Sequence, residues 1–200
     1  EVPIENKEKT GSITVHKTTE GQKNIEGIKF YLRGTSDSGR AIDIPATTDK
    51  DGIAKFDGVP IGTYMVIEDE ETVPYGYLVA DEKEVKVEYA QTIDETILNN
   101  EQTGTVKVHK KTADMTNVEG IRFILSGISD TGREIRIEAT TDKDGLAKFE
   151  GVPVGTYTIT EDGSTVPYGY LVADSKQVTV AYAQTVDTDM VNEKAPDTPN

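Results

Sequence analysis

The chain has 200 residues, a formal charge of −15 and an isoelectric point near 4.5; with no local run of Lys and Arg to offset that acidity, nucleic acid and anionic lipid surfaces are excluded as partners. Cysteine is absent, which rules out disulfides, thiolate metal sites and cysteine nucleophiles, and neither a cofactor nor a metal is expected. No apolar run approaches the roughly 20 residues of a membrane span, so no membrane contact is expected within this stretch, while 35% hydrophobic residues suffice for ordinary small cores.

The opening EVPIENKEKTG has no signal-peptide core, and the chain reads as an excised fragment of a longer secreted protein. Residues 11–101 align without a gap on 104–194 at a constant offset of 93, with about 55 of 91 positions identical. One module is therefore used twice, giving a first domain over 1–101, a second over 102–194 and the start of a Pro-containing linker over 195–200. Within the first copy, strands are predicted near 11–18, 27–33, 40–46, 53–57, 62–69, 83–89 and 92–99, with partners 93 residues on. They are separated by the turn sequences GTSDSG, TTDKDG, GVPIG and VPYGY. Apolar residues recur at spacing two in Ile28/Phe30/Leu32, Ala54/Phe56 and Val85/Val87/Tyr89, the pattern of strands with one buried face. The expected fold class is all-β: two tandem antiparallel sandwiches of about seven strands each.

Alternation also says which way each polar side chain points. In the first strand Lys17 shares its parity with Ile13 and Val15; in the fifth, Glu68 shares its parity with Tyr64 and Val66; in the last, Asn99 follows Ile93 and Ile97. The second copy repeats the set as Lys110, Glu161 and Asn192. Three polar groups aimed into one core are costly unless they meet. Spacing alone leaves three readings open: a meeting of all three, a buried Lys–Glu pair with an Asn hydrogen bond, or three strand-end residues reaching solvent.

The order of a strand ending in V-x-K, the turn G-V-P-x-G-T-Y, then Y-x-x-x-E, P-x-G-Y and a closing strand ending in Asn resembles the collagen-adhesin B-type family. These are the prealbumin-like domains of Gram-positive surface proteins and pilins. The resemblance covers essentially all of both copies. It implies that Lys17 joins Asn99, and Lys110 joins Asn192, in an isopeptide bond assisted by Glu68 and Glu161. In an apolar core the neutral amine is a nucleophile, and the Glu is expected to hydrogen-bond the Asn carboxamide oxygen and relay protons as ammonia leaves. Such chemistry is single-turnover and acts on the protein itself, so the chain is not expected to be an enzyme. The pattern departs from the family in placing Pro74 and Pro167 six residues after the Glu, and it lacks a Y-P-K pilin motif and an L-P-x-T-G sorting signal.

Other motifs are read as structural. Asp37-Ser-Gly39 and Asp130-Thr-Gly132 are expected to be turns, as are Asp49-Lys-Asp51-Gly52 and Asp142-Lys-Asp144-Gly145, which begin like a calcium loop but lack its closing Glu. His16 and His109 are expected to face solvent. The expected role is a monomeric stalk or spacer of an extracellular, cell-wall-anchored protein, partnered by neighbouring modules of the same protein. The alternative is an adhesive module binding a host protein or glycan through its loops or through Tyr75/Tyr77 and Tyr168/Tyr170.

Overall fold

A computed structural model of the chain describes residues 7–23, 25–114, 116 and 118–196. The chain divides into two compact units, Glu1–Asn100 and Glu101–Asn200. The first is built from seven strands: β1 (Thr10–Thr19), β2 (Lys29–Ser36), β3 (Ala41–Thr47), β4 (Ile53–Pro60), β5 (Gly62–Glu68), β6 (Lys83–Val87) and β7 (Thr92–Asn99). They form a three-stranded sheet in the order β4-β1-β7 and a four-stranded sheet in the order β3-β2-β5-β6. In the second unit β8 (Thr103–Thr112), β9 (Arg122–Ser129), β10 (Glu134–Thr140), β11 (Leu146–Pro153), β12 (Gly155–Glu161), β13 (Lys176–Val180) and β14 (Thr185–Asn192) repeat this as β11-β8-β14 and β10-β9-β12-β13.

The period-two pattern explains the sandwich. Along β1 alternate residues are buried over the whole strand, and Ile13 and Val15 meet Phe30, Leu32, Phe56 and Val66 in a single apolar cluster. Val106, Val108, Phe123, Leu125, Phe149 and Ile159 do the same in the second unit. Most pairings are antiparallel, but β1 lies parallel to β7 from Ser12 opposite Thr92 to Thr19 opposite Asn99, and β8 lies parallel to β14 in the same way. Alternation is blind to strand direction, so the expected antiparallel sandwich is refined here by one parallel pair per unit.

Two close approaches depend on glycine. A Cβ on Gly11 would lie 2.5 Å from the Glu88 carbonyl oxygen and 2.8 Å from that of Gln91, and one on Gly104 would lie 2.7 and 2.8 Å from those of Ala181 and Gln184. Between β5 and β6 the chain makes a short 3-10 turn (Glu70–Thr72) and, after an isolated bridge at Tyr77, runs without regular structure through Leu78–Ala80. Leu78 is held there by donating its N–H to the Asn100 carbonyl, and Leu171 repeats the contact with Glu193. No helix among the described residues is long and apolar enough to cross a membrane.

Candidate functional site

The inward parity of the polar trio brings all three members of each copy together. Lys17 projects from β1, and Asn99 from the end of β7 on the same face of the same sheet. Glu68 comes from β5 in the facing sheet, so the site spans the sandwich. The side chains of Lys17 and Glu68 are 0% and 1% exposed, those of Lys110 and Glu161 are both 0% exposed, and Asn99 and Asn192 are fully buried.

Lys17 Nζ donates to the carbonyls of Thr18 at 3.0 Å and Ile97 at 3.1 Å, and lies 3.3 Å from Glu68 Oε1. Lys110 Nζ repeats this with Lys111 at 3.0 Å, Met190 at 3.2 Å and Glu161 Oε1 at 3.2 Å. The two carbonyls take two of the nitrogen's hydrogens. Its remaining position holds a proton when the group is charged and a lone pair when it is neutral, and the Glu oxygen stands beside it to exchange that proton. Burial pushes both lysines below their ordinary value, and the neighbouring carboxyl only partly opposes this. The site therefore favours the nucleophilic form of the amine more than water does.

On its other side Glu68 Oε2 accepts a hydrogen bond from Asn99 Nδ2 at 2.6 Å, and Glu161 Oε2 accepts one from Asn192 Nδ2 at 2.6 Å. This differs from the expectation that the Glu would face the carboxamide oxygen. The reason is a backbone group: Asn99 Nδ2 also donates to the Leu78 carbonyl at 2.8 Å, and Asn192 Nδ2 to that of Leu171 at 2.8 Å. A carbonyl can only accept, so the amide turns its nitrogen to that side. Asn99 Oδ1 and Asn192 Oδ1 are buried without a hydrogen-bond partner among the described residues. Ala80 N–H (2.8 Å) and Ala173 N–H (2.7 Å) complete the shell by donating to the same Glu oxygens. These backbone contributors were missed by sequence reasoning, because any residue supplies a carbonyl or an N–H; the only signal was the punctuation of VPYGY just before them.

The remaining motifs fall where turns and outer faces were expected. Asp49 Oδ1 accepts from the N–H groups of Asp51 and Ile53, and Asp142 Oδ1 from those of Asp144 and Leu146, which occupies the first carboxylate of each calcium-like sequence in closing its own turn. Among the described residues no cluster of three or more His, Asp or Glu is placed to hold a metal. Gly39 N–H closes a turn onto the Ser36 carbonyl and Gly132 N–H onto that of Ser129. His16 and His109 are partly exposed on the outer faces and pair with Asp94 at 3.0 Å and Asp187 at 2.8 Å, away from the lysines beside them. Tyr75 and Tyr168 are exposed, whereas the Tyr77 hydroxyl donates to the Glu20 carbonyl and that of Tyr170 to Asp114.

A family model described as the prealbumin-like fold domain SpaA matches the chain twice, over residues 11–102 and again over 104–194. The chain belongs to this SpaA prealbumin-like family. Among solved structures it is similar to the Bacillus anthracis TIE protein, with 24% identity and a TM-score of 0.66 over 93% of this chain and 34% of that one. The chain thus spans about a third of that protein, and at this identity the likeness extends to the SpaA-type fold alone. The minor pilin GBS52 of Streptococcus agalactiae is similar at 19% identity and a TM-score of 0.44, covering 96% and 98% of the two chains. The shaft pilin SpaA of Lactobacillus rhamnosus GG follows at 16% identity and 0.42, covering 95% and 100%. No curated protein matches the chain.

Proposed function

We propose that the two units are stalk modules of an extracellular, cell-wall-anchored protein of a Gram-positive bacterium, each stapled by a self-formed isopeptide bond, Lys17 to Asn99 and Lys110 to Asn192. The observation that carries this reading is the doubly repeated, solvent-free meeting of an amine with lowered proton affinity, a carboxyl group and a carboxamide. A buried ion pair is a poor way to stabilise a sandwich, since apolar residues of similar volume serve as well or better. Chemistry accounts for keeping it twice.

In the proposed reaction the neutral Nζ of Lys17 attacks Cγ of Asn99, the new Nζ–Cγ bond forms, the Cγ–Nδ2 bond breaks, and ammonia leaves. One proton passes from Nζ to the departing nitrogen by way of Glu68, which ends in the protonation state in which it began. The contact of Lys17 and Asn99 with the same Glu68 carboxyl group supports the proximity this step needs. Intact mass under denaturing conditions tests this: two losses of about 17 Da each are expected from the 21.8 kDa chain. A mass equal to the unmodified sequence overturns the cross-link. Units that bind matrix proteins or glycans in the absence of any mass loss would favour the adhesive alternative, for which the exposed Tyr75 and Tyr168 are the available contacts.

A further inference from the structure

We infer that the backbone of Leu78–Ala80, and its counterpart Leu171–Ala173, is an orienting clamp that selects which atom of the Asn carboxamide faces the Glu, and so directs the proton to the leaving nitrogen. This inference rests on the cross-linking reading and gives it a direction. An Asn side chain offers two nearly isosteric ends. If Oδ1 faced Glu68, a protonated carboxyl could polarise the carbonyl; with Nδ2 there, the carboxyl contacts the group that must depart. The Leu78 carbonyl decides between them, because an oxygen placed 2.8 Å from it would gain no hydrogen bond and would meet a like partial charge. The Ala80 N–H fixes the other partner by holding Glu68 Oε2 at 2.8 Å.

Three further observations support the clamp. Both copies carry it with the same partners, although the units differ at many other positions. The segment is itself tied down, with the Leu78 N–H on Asn100 and the Leu171 N–H on Glu193, next in sequence to each reacting Asn. Finally, Asn99 Oδ1 and Asn192 Oδ1 are left buried with no donor among the described residues. Glu68 Oε1 faces the nitrogen that loses a proton and Oε2 the nitrogen that gains one, so one carboxyl group serves both ends of the transfer.

The test uses the full chain. In a Lys17→Met variant, which keeps the Asn amide intact, a through-hydrogen-bond NMR coupling is expected between Asn99 Nδ2 and the carbonyl carbon of Leu78. In a second protein, Val79 is replaced during cell-free synthesis by its α-hydroxy analogue, which turns the Leu78 carbonyl into a weaker ester acceptor and leaves every side chain in place. Ammonia loss from the first unit is expected to slow by roughly tenfold or more, while the untouched second unit reacts at its usual rate as an internal reference. Absence of the coupling, or an unchanged rate in the first unit, overturns the clamp. A wild-type chain that loses no ammonia removes the cross-link reading instead, and the coupling still decides the amide orientation.

Discussion

At the residue scale the proposed chemistry turns on three side chains whose solvation the fold has removed. Glu68 stands between the two nitrogens, and Glu68→Gln keeps the shape of the side chain while removing its ability to take and return a proton. Ammonia loss should cease in the first unit and persist in the second, because each core is separate; a Glu68→Gln chain that still loses two ammonias would reduce the Glu to a packing partner. The pH dependence follows from the lysine. Attack requires the neutral amine, so the rate should climb as pH rises. Since burial places the Lys17 titration below its ordinary 10.5, the climb should level off well before an exposed lysine would titrate. Time courses of mass loss after cell-free synthesis at a series of pH values would show this, and a midpoint at the ordinary lysine value would argue against a desolvated nucleophile. Before cross-linking, the same shift has a sign for stability. The unfolded chain holds the Lys17 proton more tightly than the folded one, so the unlinked unit gains stability with rising pH until 10.5 is passed.

At the scale of elements, the pairing of β1 with β7 sets the geometry of the site, and Gly11 permits it by letting β1 run against the Glu88–Gln91 turn. Gly104 does the same for β8. Because the atoms in the way are carbonyl oxygens, Gly104→Ala should destabilise the second unit by about 1–3 kcal/mol, read as a lower melting temperature for that unit alone; an unshifted melt would mean the turn yields freely. The strands themselves were legible from alternation, since Ile13, Val15 and Lys17, or Tyr64, Val66 and Glu68, have one buried face whatever lies beside them. The direction of β7 against β1 was not legible, because reversing a strand leaves side-chain parity unchanged. Nor was the identity of the amide end that Glu68 touches: Leu78 and Ala80 act through atoms common to every residue, and their placement depends on the path of a loop rather than on a pattern of side chains. The trio was readable in the sequence as inward-pointing polar residues, whereas its internal orientation required the chain between β5 and β6 to be seen in space.

On the scale of the whole molecule, each proposed bond closes most of a unit into one covalent loop. Closing a loop of this size is worth on the order of 4–5 kcal/mol by analogy with disulfides, which rivals the net stability of many small domains. Lys17→Met with Lys110→Met, which retains most of the buried stem, should therefore lower the melting temperature by roughly 20 °C or more and make both units susceptible to trypsin. In single-molecule pulling the variant should lengthen at forces the wild type withstands. Equal melting, proteolysis and extension in the two proteins would remove the physical basis of the stalk. The parallel course of β1 and β7 carries one more consequence. Lys17 lies near the far end of β1, and Asn99 is the last residue of β7, so with the proposed bond formed a pull entering at Thr10 would pass along β1, cross the bond and leave at the end of β7. Residues 18–98 would then lie beside that route, shielded from the load by the bond. On that reading the exposed turns among them, such as that at Tyr75, could vary or accept inserted sequence without altering the path of the force.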